Sequence, residues 1–233
     1  MAEDLPEPTP ARDARIVRTQ RQLRDAALTL AAHSPIDNIS VAELTRQAGI
    51  NRATFYKHAD SPLQVLSEAL VADLDALRHS FLGDAVNPGT DFTELWRQAA
   101  IQTADHVQRF AAVYEQGFAP EASGALEGLL SNHIAASMAA LFRERPQLLP
   151  AHRKRDAEVV MAMQAAYLGK GLAGILRAWF NAGHRDAALY IEAVLGALPQ
   201  WMLNAAADRP ASGAPASIAS PKRTRSSRPR ADI

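Results

Sequence analysis

The chain has 233 residues, 48% of them hydrophobic, no cysteine, and 25 basic side chains against 25 acidic ones. The lack of cysteine excludes disulfides, thiolate metal sites and cysteine nucleophiles, and the length suffices for one large or two small domains with a proper core. A formal net charge of zero argues at first sight against a nucleic-acid partner, but the average conceals a segregation.

Residues 1–11 hold three acids and no base, 12–60 eight bases and five acids, 61–208 eleven bases and sixteen acids, and 209–233 six bases and one acid. The segment charges are therefore −3, +3, −5 and +5, which places positive charge on the second segment and on the tail. No stretch approaches the run of about 20 apolar residues that spans a bilayer. The start M-A-E-D-L-P-E-P-T-P is acidic and proline-rich, where a signal peptide is basic and then apolar. A cytoplasmic protein with no membrane part is expected.

Pro6, Pro8 and Pro10 preclude a helix at the start, and residues 1–11 read as a disordered lead-in. From Ala14 to His33 the residues Ile16, Leu23, Ala27 and Leu30 form one apolar helical face. Arg12, Arg15, Arg18, Arg21 and Arg24 recur every third residue around that helix. They read either as a solvated face or, for Arg12 and Arg15, as side chains that reach phosphates or the minor groove. Pro35 and Asp37-Asn38 then turn the chain.

Ile39 to Leu66 is the most informative stretch. Ser40 caps a helix, with Glu43 completing an S-x-x-E capping box, and Val41, Leu44, Thr45 and Ala48 form its inner side. Gly49 ends that helix, because the residue past a helix terminus commonly needs a left-handed backbone. Asn51 caps the next helix, which presents Arg52 and Thr54 outward while Ala53 and Phe55 turn inward. Helix, tight turn and helix is the helix-turn-helix pattern, whose second helix meets base edges in the major groove.

Through Ser40, Leu44, Ala48, Gly49, Ile50, Thr54, Phe55, Tyr56, His58 and Ser61 the stretch resembles the DNA-binding domain of the TetR family of bacterial transcriptional regulators. Three residues depart from that pattern: Thr45 replaces an alanine, Ala59 a phenylalanine, and Pro62 a lysine that contacts phosphate. Pro62 is compatible with the first turn of a following helix, where an amide hydrogen is not needed. By chemistry, Arg52 suits bidentate recognition of guanine O6 and N7, and Thr54 a thymine methyl or a phosphate. Ser40 and Asn51, as caps, belong to the same DNA-facing set. The resemblance implies that Tyr56, Lys57 and His58 contact phosphate and position the helix.

Pro62 to Leu82 reads as a long helix with Leu63, Leu66, Leu70, Leu74 and Leu77 on one side. The resemblance makes it the joint between the DNA-binding head and a ligand-binding body. Residues 91–117 read as one helix carrying Phe92, Leu95, Trp96, Ala99, Val107, Phe110 and Tyr114. Another runs from about Glu121 to Arg145, and the basic segment from Arg145 to Arg155 is a loop or short irregular helix. Two last helices, about Asp156 to Ala182 and Asp186 to Ala206, are separated by Gly183. The first contains Gly169, Gly171 and Gly174, each weakening a helix by about 1 kcal/mol unless a close approach requires it. From Arg209 onward the chain is rich in proline, serine and alanine and reads as a disordered basic tail, either solubilising or adding non-specific phosphate attraction.

No phosphate-binding loop, H-E-x-x-H or G-x-S-x-G is present, so no catalytic residue is assigned. The seven histidines show no ligand spacing, so no metal or cofactor is assigned. The expected architecture is all-α: a lead-in at 1–11, a three-helix helix-turn-helix head at 12–60, a larger helical ligand-binding and dimerisation body at 61–208, and a tail at 209–233. The resemblance implies a dimer on palindromic double-stranded DNA, a repressor released by a small hydrophobic effector. Candidate pocket residues are Trp96, Gln102, His106, Phe110, Tyr114, Met138, Phe142, Met163 and Tyr167. Candidate homodimer-interface residues are Gly171, Gly174, Ile175, Trp179, Leu195, Leu198 and Met202. Two alternatives stay open: a DNA-binding regulator that is constitutive or governed by a protein partner, and a helical carrier or enzyme with a relic head.

Overall fold

The computed structural model describes residues 10–87, 89–149, 153–183 and 186–203, with the side chains of residues 10–13 and 154 excluded. The tail at 209–233 and most of the lead-in lie outside the described residues. All regular structure among the described residues is helical. Helix α1 spans Pro10–Ala31. It starts at Pro10 rather than Ala14, because a proline at the first helical position forfeits an amide hydrogen that has no intrahelical partner anyway.

Helices α2 (Val41–Ala48) and α3 (Arg52–Phe55) follow, with a single 3-10 turn at Ile36–Asn38 before them. The Ser40 hydroxyl oxygen accepts from the Glu43 amide at 3.1 Å, and Asn51 Oδ1 accepts from the Thr54 amide at 2.8 Å. Gly49 has φ 67° and ψ 32°, the left-handed conformation that a side chain disfavours. It lets the Gly49 and Ile50 amides close on the carbonyls of Arg46 and Thr45. Thr45 is buried, and its hydroxyl donates to the Ala42 carbonyl at 3.2 Å, so a polar residue is tolerated where the family pattern has alanine.

Helix α4 (Pro62–Ala85) is capped by Ser61, which accepts from the Gln64 amide, while Gln64 reaches back to the Asp60 amide at 2.8 Å. Pro62 is its first residue, as predicted. The single helix predicted over 91–117 is two, α5 (Phe92–Arg109) and α6 (Ala111–Gly117), because Phe110 leaves helical geometry at φ −105° and ψ 27°. Helices α7 (Ala125–Glu144) and α8 (Ala157–Asn181) form the most extensive helix pair. The helix predicted over 186–206 breaks into α9 (Ala187–Ala197) and α10 (Gln200–Leu203), since Leu198 turns extended ahead of Pro199. A residue before proline is pushed out of the helical region.

Gly169 explains the α7–α8 contact: a Cβ there would lie 2.5 Å from the Ser131 carbonyl oxygen and 2.9 Å from the Ala135 Cβ. Gly171 and Gly174, by contrast, face open space. Helix α8 is long and apolar enough to cross a membrane by length and composition, with a mean hydropathy of 1.4 over its best window. This corrects the expectation that no stretch approaches that limit; here its inner face is packed on α7 and α9. One contiguous core runs from Leu23 in α1 to Met202 in α10, and α1 touches α6 as well as α4, so head and body share packing.

Candidate functional site

The head buries Phe55 completely, and Leu44, Leu23 and Leu66 close around the same core. With Phe55 turned inward, the residues beside it on α3 and the following turn must point out. Arg52, Tyr56 and Lys57 are exposed, and Thr54 and His58 are half-buried. The Tyr56 ring packs edge-on to Phe55 at 5.2 Å, which fixes its direction, and its hydroxyl lies 3.5 Å from the Arg52 guanidinium, at the long limit of a hydrogen bond. Ser40 and Asn51 use acceptor lone pairs as caps, which leaves the Ser40 hydroxyl proton and the Asn51 amide protons to face outward. Arg15 stands exposed on α1; the Arg12 side chain lies outside the described residues.

Arg46, at the end of α2, was not singled out by sequence reasoning, although it is exposed on the same head. Its place in the last turn of an amphipathic helix was the available signal. Among the described residues, none of Arg15, Arg18, Arg21, Arg24, Arg46, Arg52 and Lys57 forms an ion pair. These cations are free to neutralise phosphate and release counterions. Where the family pattern has phenylalanine, Ala59 borders an open hollow of about 290 Å³ between α1 and α4, lined in part by Val17, Leu23, His58, Val65 and Ala69.

In the body, residues of α4, α5, α7, α8 and α9 line a second, partly open cavity of about 100 Å³. Its wall includes Leu74, Leu77, Phe81, Leu130, Leu172 and Val194, with Trp96, Gln102, His133 and Tyr190 as polar-bearing members. Of the predicted pocket residues, Trp96, Gln102 and Met138 line it. His106, Phe110, Tyr114 and Phe142 are not among its lining residues: His106 and Tyr114 are buried in a polar cluster, Phe110 leans on His106 at 5.0 Å, and Phe142 packs against Trp201 at 6.2 Å. Met163 and Tyr167 are 65% and 58% exposed on the outer face of α8 and cannot line this cavity.

The polar cluster joins three helices. His106 Nε2 lies 2.8 Å from the Tyr114 hydroxyl, His106 Nδ1 lies 3.8 Å from Asp73 Oδ2, and Arg109 pairs with the same carboxylate oxygen at 2.6 Å. Burial pushes the His106 pKa from 6.5 down to about 4, against the opposing pull of Asp73. Burial also holds the Tyr114 and Tyr190 phenols well above their ordinary value, so both keep their protons. His133, 3.9 Å from Asp75, is shifted down as well, again by burial first.

Three predicted interface residues are consumed by the chain's own core. Trp179 is buried, donates its indole N–H to the Asp186 carbonyl at 2.9 Å and packs on Tyr190; Leu198 and Met202 are buried too. Ile175, Gly174 and Leu195 are half-buried and Gly171 is exposed. Among the described residues no group of three His, Cys, Asp or Glu side chains could hold a metal ion.

A capped two-helix unit on a small apolar core, with its second helix and the turn after it presenting Arg52, Tyr56 and Lys57 outward, is the helix-turn-helix arrangement. Residues 23–69 match the family model described as bacterial regulatory proteins, tetR family. The match spans the latter part of α1, all of α2 and α3 and the first turns of α4, so the head is a tetR-type domain. No curated protein matches the chain. Among solved structures it is distantly similar to the dihydroxyacetone kinase operon activator DhaS, at 16% identity over 76% of this chain and 92% of that one, with a TM-score of 0.45. It is also similar to RolR in complex with resorcinol, at 18% identity over 86% of this chain and 98% of that one, with a TM-score of 0.47. A third is a tetR-family transcriptional regulator from Streptomyces coelicolor, at 19% identity over 84% of this chain and 91% of that one, with a TM-score of 0.46.

Proposed function

We propose that this protein is a cytoplasmic, homodimeric repressor that binds a palindromic operator through Arg52, Thr54, Tyr56, Lys57 and His58 and is released by a small hydrophobic effector in the body cavity. The set of unpaired, outward cations on the head carries the DNA-binding half of this reading. Arg52 reads base edges, while Lys57 and Tyr56, with Ser40, Asn51 and Arg15 around them, hold the phosphates.

The dimer forms through the outer faces of α8 and α9. Val159, Met163, Tyr167 and Leu189 are large hydrophobics left exposed there, and Gly171 and Gly174 open a path for close approach by a second copy. Scattered exposed apolar residues need no explanation, but Val159, Met163, Tyr167 and Gly171 recur every fourth residue along one stripe of α8, a pattern of the kind that marks an interface. The effector acts through α4, which begins at the head and lines the cavity with Leu74 and Leu77. A ligand must favour the conformation whose heads miss successive major grooves, since equal affinity for both conformations shifts nothing.

The test is fluorescence anisotropy of a duplex selected by the full chain, paired with sedimentation of wild type and Tyr167→Asp. The dimer reading expects a dimeric wild type and a monomeric variant that binds at least tenfold more weakly. A monomeric variant with unchanged affinity would overturn it.

A further inference from the structure

Helix α3 is a single turn, Arg52–Phe55, so little regular structure fixes the side chain at its start. Arg52 is exposed, and no acidic side chain pairs with it among the described residues. A side chain of this length loses rotamer freedom when it is held against a base edge, and affinity is gained wherever that freedom is already reduced. Tyr56 meets Arg52 at both ends. Its backbone amide donates to the Arg52 carbonyl at 3.1 Å, and its phenol oxygen accepts from the Arg52 guanidinium at 3.5 Å. The phenol is itself held from below: its ring stands edge-on to Phe55 at 5.2 Å, and Phe55 is fully buried in the head core. Core packing therefore reaches the guanidinium through one ring contact and one hydrogen bond.

The chemistry of the two groups lets both be used at once. A phenol hydroxyl accepts and donates, so accepting from Arg52 leaves its own proton for a phosphate oxygen. A guanidinium has more donors than a bidentate contact to guanine uses, so the bond to Tyr56 does not compete with base reading. Donation to phosphate also makes the phenol oxygen a stronger acceptor, which tightens a contact that is long in the DNA-free protein.

We propose that Tyr56 is a specificity-determining positioning residue, whose hydroxyl, anchored on phosphate, aims the Arg52 guanidinium at the base edge. This rests on the reading of the head as a DNA-binding unit. It goes beyond a phosphate contact, because a phosphate contact alone strengthens every sequence alike.

The experiment compares wild type, Tyr56→Phe, Arg52→Ala and the double variant as full chains, by anisotropy on the selected duplex and on duplexes changed at single base pairs. Tyr56→Phe keeps the ring on Phe55 and removes only the hydroxyl. A lost phosphate contact lowers all affinities together, so the ratio between selected and changed duplexes isolates positioning. In Tyr56→Phe that ratio should fall about fivefold at the base pair that Arg52→Ala also relaxes, and hold at the others. Adding Tyr56→Phe to Arg52→Ala should leave the ratio where it is. An unchanged ratio in Tyr56→Phe overturns the proposal, as does a further fall in the double variant, which would make Tyr56 a reader in its own right. Nitrogen-15 relaxation of the Arg52 Nε–H in the DNA-free chain gives a readout that needs no duplex. Arg52 should be more ordered than the exposed Arg15 and Arg46 and drop to their level in Tyr56→Phe; equal order in wild type and variant overturns the proposal. If wild type selects no duplex, the DNA-binding reading falls and takes the specificity role with it, whereas a selected duplex whose discrimination ignores the Tyr56 hydroxyl overturns the positioning role alone.

Discussion

In the head, Arg15, Arg18, Arg21, Arg46, Arg52 and Lys57 stand exposed without an acidic partner among the described residues. In the body, Arg78, Arg97, Arg109, Arg155 and Arg177 each lie 2.6 to 3.6 Å from a carboxylate, while Arg143, Arg145, Arg153 and Lys170 form no ion pair among the described residues, so the body is a mixed surface where the head is uniformly unpaired. Exposed ion pairs contribute only about 0–1 kcal/mol, so the contrast has little to do with stability. It concerns availability: charges already paired gain little from phosphate, whereas unpaired ones release counterions when they meet it. The body differs a second time in burying titratable groups, which the head does not. His106, His133, Tyr114 and Tyr190 are all shifted by burial toward their neutral forms.

The largest expected effect breaks the comparison by pH. The unfolded chain protonates histidine near 6.5 and folded His106 near 4, so the unfolded state takes up the proton first as pH falls. The stability contributed by neutral His106 is full above pH 6.5 and is lost as pH falls toward 4, by about 3 kcal/mol. Melting of wild type across that window should show the loss, and His106→Gln should flatten it; equal slopes would remove His106 as the cause.

Next in size are the head substitutions. Arg52→Ala should lower affinity for the selected site by about 1–3 kcal/mol and relax its sequence preference. Lys57→Ala should weaken all sequences alike and reduce the salt slope by about one. Anisotropy on matched and mismatched duplexes separates the two, and equal losses on both for Arg52→Ala would reverse its role. Smaller still, Ala59→Phe places a ring at the hollow between α1 and α4 and should raise head stability by about 1 kcal/mol. A fall in melting temperature would mean that the hollow cannot take the ring. The smallest change is Pro62→Lys, which restores the phosphate-contacting lysine of the family pattern and should tighten DNA binding about threefold at low salt; no change would show that α4 does not approach the backbone.

The head was legible because its signals are local. Ser40, Gly49, Asn51 and Pro62 each act within one turn of chain, and each takes the role its chemistry dictates. The body was legible in element type but not in facing. Helix α8 is apolar nearly all round, so its periodicity does not say which side is inward. Met163 and Tyr167 consequently read as pocket and are exposed, while Trp179 reads as interface and is core. Leu198 and Met202 were misplaced for a related reason, since the break at Pro199 turns α10 back onto α5. The break at Phe110 carries no glycine or proline and left no local mark.

The central claim is that the unpaired cations of the head hold DNA as a symmetric pair. Selection of bound duplexes from a random-sequence pool by the full chain, followed by footprinting on the winners, tests it most directly. The account predicts a palindrome whose half-site centres are about 34–36 Å apart, one helical turn, with protection that fades as salt rises. Recovery of no common sequence and no protection at low salt would contradict it.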